Sequence, residues 1–129
     1  MAEERARLNN LPVRFPNQFP ADGLPWGFQV DDGWEDLIVI LCERIHTILK
    51  EAPPGTRFEF TQIKEKFGTL RAYYRLEHTS DNVKALIRQA VAATEKATAR
   101  CCEHCGGYGV LRDIDGYMTT RCDACLKLR

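Results

Sequence analysis

The sequence lacks the features that define several large functional classes. Its 18 basic and 18 acidic side chains cancel to a formal net charge of zero, whereas a protein that holds nucleic acid mainly by electrostatic attraction is usually basic. No apolar run is long enough to cross a membrane, and the first residues do not form the apolar core of a signal peptide. We therefore expect a protein of a reducing compartment, the cytoplasm.

The chain also lacks familiar catalytic motifs. It contains no glycine-rich phosphate loop, no Gly-x-Ser-x-Gly elbow and no His-Glu-x-x-His helix. Its hydrophobic content of 44% is ordinary for a globular protein, so a packed core is expected. These observations predict a folded protein without enzymatic activity.

Six cysteines are present, and four of them form two regular pairs. Cys102 and Cys105 are a Cys-x-x-Cys pair, and after a gap of sixteen residues Cys122 and Cys125 are a second. This spacing lets both thiolates of a pair turn toward one point, and two pairs complete a tetrahedral Zn²⁺ site. In a reducing compartment, metal binding is favoured over disulfide formation. Because thiolates fill all four positions, we expect a structural zinc ion rather than a catalytic one.

The segment between the two pairs predicts a short hairpin. Residues 110–112 and 117–120 can extend, and Asp115-Gly116 between them is a turn signal. Together with the cysteines, this hairpin predicts a zinc ribbon in residues 101–129. Two neighbours leave the ligand set open. Cys101 is a less regular alternative to Cys102, and His104, inside the first pair, is expected to face solvent.

The rest of the chain predicts an α+β body preceded by an extended arm. Residues 1–30 are assigned to this arm. Residues 1–10 are polar and are expected to fray or to form a short helix, and in residues 11–27 prolines at 12, 16, 20 and 25 alternate with aromatic residues, which favours an extended arm packed over the core. Residues 31–100 predict a core of helix, hairpin and helix. The first helix starts at Asp31 and stops before Pro53, and the second runs from 82 to 100. The hairpin has predicted strands at 57–63 and 69–75, joined by a turn at 64–68.

The predicted fold class is therefore α+β, with two helices packed on an antiparallel β-hairpin and a zinc-ribbon-like module at the C-terminus. The apolar side chains of the second helix recur at three- and four-residue spacing, which predicts one buried face. That face comprises Val83, Leu86, Ile87, Ala90, Val91 and Ala97.

Two clusters of reactive side chains have structural interpretations that are favoured over catalytic ones. Cys42 and His46 lie four residues apart on the first helix, and packing of the cysteine is favoured over a nucleophile and base pair. Four carboxylates at the start of that helix are expected to cap it and complement its dipole. A magnesium-dependent nuclease built on them is the distant alternative. These carboxylates are Asp31, Asp32, Glu35 and Asp36.

The predicted hairpin is the richest candidate for a binding surface. Basic residues alternate there with aromatic ones, a mixture that suits both protein interfaces and single-stranded nucleic acid. Two tyrosines near the predicted ribbon tip, Tyr108 and Tyr117, are further candidate contacts. The candidates on the hairpin are Lys64, Lys66, Phe67, Arg71, Tyr73 and Arg75.

Three segments of the chain resemble those of a group of small, uncharacterised proteins of bacteriophages, prophages and bacteria. They are Gly33-Trp34 with Leu37-Ile38, the stretch from Lys64 to Tyr73, and the cysteine-pair tail. The resemblance covers roughly residues 26–125. It implies a phage or bacterial context, in the cytoplasm of a bacterial host cell, and it implies no catalytic residues.

These patterns together predict a non-enzymatic zinc-binding interaction protein. The context implied by the resemblance makes a host or phage protein the expected partner, and modulation or inhibition of a host protein, including one of a defence system, the expected effect. Nucleic-acid binding through the same hairpin and the ribbon is the alternative.

Overall fold

The computed structural model describes residues 6–126, so the predictions for residues 1–5 and 127–129 lie outside the described part. Within it the fold is mixed α+β, as predicted, with four α-helices and two small β-sheets. The helices are α1 (Ala6–Arg14), α2 (Glu35–Lys50), α3 (Asp81–Thr98) and α4 (Asp123–Leu126). The strands are β1 (Phe28–Gln29), β2 (Arg57–Lys66), β3 (Thr69–Glu77), β4 (Val110–Ile114) and β5 (Tyr117–Arg121).

The predicted extended arm is helical over much of its length. Helix α1 includes Pro12, and a 3₁₀ turn at Pro16–Gln18 follows it. A proline inside a helix removes one backbone hydrogen bond and costs about 3 kcal/mol. Leu8 and Leu11 are fully buried, and burying two leucines contributes about 3–6 kcal/mol, which offsets that cost. The prediction of an extended chain was wrong from residue 11 to the 3₁₀ turn, whereas a helix in residues 6–10 agrees with one of the two predicted alternatives and the packing of the arm on the core is confirmed.

The main sheet has three strands in the order β1-β2-β3. Strands β2 and β3 are antiparallel, and the short β1 runs parallel to β2, with Phe28 opposite Ile63. The sequence did not predict β1, because two residues are too few to show an alternating pattern. The pairing of β2 with β3 shifts by one residue between Phe60 and Gln62, which marks a β-bulge.

The turn between β2 and β3 is shorter than predicted. It consists of Phe67 and Gly68 alone, because β2 continues through Lys66 and pairs with β3 up to that residue. Both turn residues have positive φ, 54° and 84°, which is the geometry of a type I′ hairpin. The prediction of a turn at 64–68 was therefore wrong in length, and the positive φ of Gly68 is a backbone conformation that favours glycine at this position.

Helix α3 packs on β3 of the main sheet and α2 packs on α3, and the buried residues of both helices and of the sheet belong to one core cluster. The predicted face of α3 is wrong at two positions, since Leu86 is 40% exposed and Ala97 is also exposed. Thr94 and Thr98 are buried instead, because they continue the three- and four-residue spacing of the buried stripe. The largest fully buried hydrophobic side chains are Trp34, Phe60, Leu8, Leu11, Ile38, Leu41, Ile45, Ile63, Leu70 and Ile87.

Candidate metal centre and the surfaces that it joins

The four paired cysteines come together at one point. Their sulfur atoms lie within 4.8 Å of one another, and the Sγ atoms of Cys105 and Cys122 are 3.7 Å apart. In a tetrahedral site with Zn–S bonds of about 2.3 Å, neighbouring sulfurs are about 3.8 Å apart. The arrangement can therefore hold one metal ion, and four sulfur donors are consistent with zinc. Among residues 6–126, no other group of three or more potential ligands gathers in this way.

The backbone shapes each cysteine pair. In the first knuckle (residues 102–106) the chain turns at Gly106, whose φ is 85°, and the next amide, of Gly107, donates to Cys105 Sγ at 3.4 Å. Helix α4 begins directly after Cys122, and the Cys125 amide donates to Cys122 Sγ at 3.4 Å. One backbone amide therefore points at a sulfur of each pair and helps to fix its position.

The sulfurs differ in how easily they lose their protons. Burial opposes ionisation of Cys102, but hydrogen bonds from the backbone, first that of Cys105, outweigh burial and lower its pKa to about 6. Burial and the neighbouring sulfurs raise the pKa of Cys125 to about 12. The thiolate form is therefore favoured at Cys102 in the absence of metal, and the positive charge of a bound cation favours ionisation of all four thiols.

Cys101 and His104, the two alternative ligands that the sequence left open, lie outside the cluster of four sulfurs. His104 is exposed, in agreement with its predicted position facing solvent. Cys101 is half-buried, and its Sγ lies 3.5 Å from the carbonyl oxygens of Gly33 and Gly106. Its thiol is placed as a weak hydrogen-bond donor to the backbone, and the gathered donors are the four cysteines of the two pairs.

The predicted hairpin between the two pairs is confirmed. Strands β4 and β5 are antiparallel, with Ile114 opposite Tyr117 at the tip. Asp115 and Gly116 both have positive φ, as a type I′ turn requires. Tyr108 forms an isolated bridge next to the first knuckle, at the base of the hairpin. The prediction that both tyrosines lie near the ribbon tip was therefore wrong for Tyr108, because the strands begin only two residues after it.

The ribbon has almost no hydrophobic core of its own. Across residues 101–126 the buried side chains are two cysteines, one glutamate and two threonines, and Gly109 is also buried. Val110 and Leu111 are 45% and 48% exposed. Metal binding contributes about 10 kcal/mol to folding in small sites of this kind. We therefore expect the fold of the ribbon to depend on a bound metal.

The first knuckle packs against the start of α2. The Gly33 amide donates to the Glu103 carbonyl at 2.7 Å, and the indole Nε1 of Trp34 donates to the Cys101 carbonyl at 2.8 Å. A side chain does not fit at position 33, because a Cβ there would lie 2.2 Å from the Cys102 carbonyl oxygen. Contact with the cysteine tail thus requires both the glycine and the tryptophan of this segment.

The ribbon also packs against the turn between β2 and β3. The buried Thr120 hydroxyl donates to the Gly68 carbonyl at 2.6 Å. Leu111 covers the same glycine, since a Cβ at position 68 would lie 2.4 Å from its Cδ1. The Glu103 amide donates to the Thr120 carbonyl at 2.8 Å, which joins the first knuckle to β5. The two contacts with the body therefore belong to one connected unit.

A buried carboxylate lies between these two contacts. Glu103 is 5% exposed, and its side chain accepts a hydrogen bond from the Asp31 amide at 3.4 Å. Burial, together with the charges of Asp31 and Glu65, raises its pKa to about 7. No sequence pattern predicts this buried carboxylate, because a spacer position between two cysteines belongs to no periodic pattern.

The outer face of the main sheet carries most of the predicted partner contacts. Lys64 lies opposite Arg71 at the turn end of the hairpin, and Tyr73 follows Arg71 on the same face. Phe67 is 65% exposed and Tyr73 is 45% exposed. The amine of Lys66 lies 5.7 Å from the centroid of the Phe67 ring. We call Lys64, Lys66, Phe67, Arg71 and Tyr73 the hairpin-tip surface.

The cations of the hairpin-tip surface form no ion pairs with the described residues. Within the described part of the chain, Lys64, Lys66 and Arg71 make no ion pair, and Arg71 Nε is buried without a hydrogen-bond partner. Arg75, the sixth predicted hairpin contact, lies further from the turn and pairs with Glu59 at 3.5 Å. Its charge is therefore offset, and the structure does not group it with the other cations.

The acidic residues at the start of α2 stabilise the fold through ion pairs and the helix dipole. Glu35 and Asp36 lie in the first turn of α2 and form ion pairs with Arg7 of α1. Their predicted position beside the positive end of the helix dipole is confirmed. The predicted side-chain capping was wrong, because Asp31 precedes a 3₁₀ turn without such a bond and the N-cap of α2 is Trp34.

Cys42 and His46 do not form a reactive pair. Cys42 is fully buried, and burial raises the pKa of its thiol to about 12. His46 is exposed and lies beside the ring of Phe15, with the ring centroids 5.6 Å apart. The predicted packing role of Cys42 is therefore confirmed.

Comparisons with known proteins found no relative of this chain. A scan against protein-family models, a search of curated proteins and a search of solved structures each gave no match. None of the helices between residues 6 and 126 combines the length and apolar character that crossing a membrane requires.

Proposed function

We propose that this chain is a non-enzymatic, zinc-binding interaction protein that binds another protein through the hairpin-tip surface. The observation that carries the proposal is the presence, in one small area, of two exposed aromatic rings and three cations that form no ion pair among residues 6–126. Aromatic and arginine side chains supply much of the energy at protein interfaces. The four cysteines stabilise the ribbon that supports this area.

The charge of the surface selects an acidic partner. Arg71 forms no ion pair with any of the described residues. A carboxylate of the partner that reaches Arg71 accepts two parallel hydrogen bonds from the guanidinium group and balances its charge. Lys64, opposite Arg71, widens the positive area that faces the partner.

The donor set of the metal centre supports a role in binding rather than in catalysis. Four thiolates fill the coordination sphere of a zinc ion and leave no position for a substrate or an activated water. The resemblance to phage and bacterial proteins makes a protein of the bacterial host the partner that we propose. Binding to an acidic surface would modulate or inhibit that protein, including a component of a defence system.

Single-stranded nucleic acid is the second candidate partner. Exposed rings such as Phe67 and Tyr73 can stack on bases, and neighbouring lysines can follow a phosphate backbone. The formal net charge of zero gives such binding less support than it gives a protein partner.

Affinity capture from a bacterial lysate tests the proposal. The bait is the zinc-loaded full-length chain, compared with a variant that carries Lys64→Glu, Lys66→Glu and Arg71→Glu. The matched control reverses three exposed charges on the outer side of α3, by Lys84→Glu, Arg88→Glu and Lys96→Glu. We expect a nuclease-resistant protein partner that the control retains and the hairpin variant loses. Equal recovery by both variants would show that the surface does not bind it.

Labelled oligonucleotides test the second candidate. If the chain binds nucleic acid, the logarithm of the binding constant should fall linearly with the logarithm of the salt concentration. The slope of that line should be smaller for Lys64→Gln. No binding of single-stranded DNA or RNA at low salt would remove this candidate and leave the protein partner.

A further inference from the structure

The ribbon that holds the metal centre contacts the body at two places, the start of α2 and the turn between β2 and β3. These places belong to the other two segments on which the resemblance to phage and bacterial proteins rests. We infer that a bound zinc ion acts as a latch, which fixes the start of α2 and the turn between β2 and β3 and so controls the hairpin-tip surface. The latch itself rests on the contacts of the ribbon. Its effect on partner binding rests on the proposed function.

The first contact of the latch is made by backbone atoms of the knuckle. Trp34 is fully buried, and its indole N–H has the Cys101 carbonyl as acceptor. The neighbouring Gly33 amide donates to the Glu103 carbonyl. These carbonyls are in place only while the knuckle keeps its turn, which the bonds of Cys102 and Cys105 to a common ion hold closed.

The second contact reaches the binding surface itself. Gly68, whose carbonyl accepts from Thr120, is directly bonded to Phe67 in the same two-residue turn. Thr120 belongs to β5, which ends one residue before the ligand Cys122. Release of β5 therefore frees the turn on which Phe67 is presented.

Apart from the metal centre, residues 101–126 have little buried apolar surface to stabilise their fold. Its buried side chains are small or polar, whereas the body keeps a large cluster of buried apolar residues that does not depend on the ribbon. Loss of zinc should therefore unfold residues 101–126 and release both contacts, while the core of α2, α3 and the main sheet stays folded.

The contact with α2 is tested by fluorescence. The chain has two tryptophans, and Trp26 is 66% exposed, so Trp26→Phe leaves Trp34 as the only indole without disturbing the core. Removal of zinc by a chelator under reducing conditions should shift the Trp34 emission to longer wavelength, and added Zn²⁺ should reverse the shift. Unchanged emission after measured zinc loss would overturn the latch at this contact.

The contact with the turn is tested by hydrogen exchange. Chelation should accelerate amide exchange in residues 64–72 about tenfold and leave residues 38–45 of α2 unchanged. Thr120→Val should accelerate exchange in residues 64–72 at full zinc content, because it removes only the hydroxyl bonded to Gly68. Cys101→Ser, which alters a cysteine outside the ligand cluster, should match the wild type in zinc content and exchange. Wild-type exchange in Thr120→Val would overturn the contact.

The effect on binding is separated by repeating the capture experiment with chelated protein. Loss of the partner on chelation, with recovery on zinc addition, supports control of the hairpin-tip surface by the latch. Equal capture with and without zinc would overturn that control even if both contacts respond. If the Lys64, Lys66 and Arg71 variant captures the partner normally, the proposed function fails, while the fluorescence and exchange results still decide the latch.

Discussion

Replacing Gly33 by alanine should weaken zinc binding, although position 33 supplies no metal ligand. A Cβ there would lie 2.2 Å from the carbonyl oxygen of Cys102 and 2.4 Å from that of Glu103. Overpacking of this kind costs about 1–3 kcal/mol, and loss of the Gly33 to Glu103 hydrogen bond costs about 1 kcal/mol more. The two costs add to about 2–4 kcal/mol. Because docking and zinc binding stabilise the same knuckle, even the lower value of about 2 kcal/mol corresponds to roughly 30-fold weaker zinc binding.

Competition with a chromophoric zinc chelator measures this change. The matched control is Gly107→Ala, because a Cβ at position 107 meets only Cys105 Sγ, at an ordinary contact distance of 3.5 Å. The control should bind zinc with wild-type affinity and keep the amide that donates to that sulfur. Wild-type affinity in Gly33→Ala, or an equal loss in both variants, would refute the argument that docking at Gly33 supports the metal centre.

Three further changes test separate parts of the structure. Cys42 should resist alkylation at pH 8 in the native protein and react only after unfolding, because burial raises the pKa of its thiol to about 12. Mass spectrometry measures the rate of this modification, and a rate equal to that of a free thiol would contradict the prediction. Thr98→Val should lower the free energy of unfolding by about 1–3 kcal/mol, since the Leu70 amide loses its acceptor at 3.0 Å. A urea titration measures this change, and an unchanged unfolding midpoint would contradict the prediction. Ser80→Ala should cost about 1 kcal/mol in the same titration, because the serine side chain accepts from the Val83 amide at 3.2 Å, while Ser80→Asp should retain most of the stability.

Local patterns were sufficient to predict the parts of the fold that depend on neighbouring residues. The spacing of Cys102, Cys105, Cys122 and Cys125 predicts a metal centre, because each pair needs only one turn of backbone to orient its sulfurs. The Asp-Gly pair of the ribbon predicts its turn for a similar reason, since both positions require positive φ. Such features need no knowledge of distant contacts.

Features that depend on distant contacts were not predicted. Helix α1 forms around Pro12 because Leu8 and Leu11 are buried by elements elsewhere in the chain, and the local signal of the prolines points the other way. The docking of Gly33 on the first knuckle joins residues about 70 positions apart, which no spacing rule connects. The sequence therefore indicated the metal ligands, whereas the structure was needed to show what the ribbon contacts.

Zinc K-edge X-ray absorption of the purified full-length chain tests the metal centre most directly. The account predicts one zinc ion per chain with a shell of four sulfur neighbours at about 2.3 Å. A shell that includes nitrogen or oxygen ligands, or a preparation with less than about half an equivalent of metal and an intact ribbon, would contradict it.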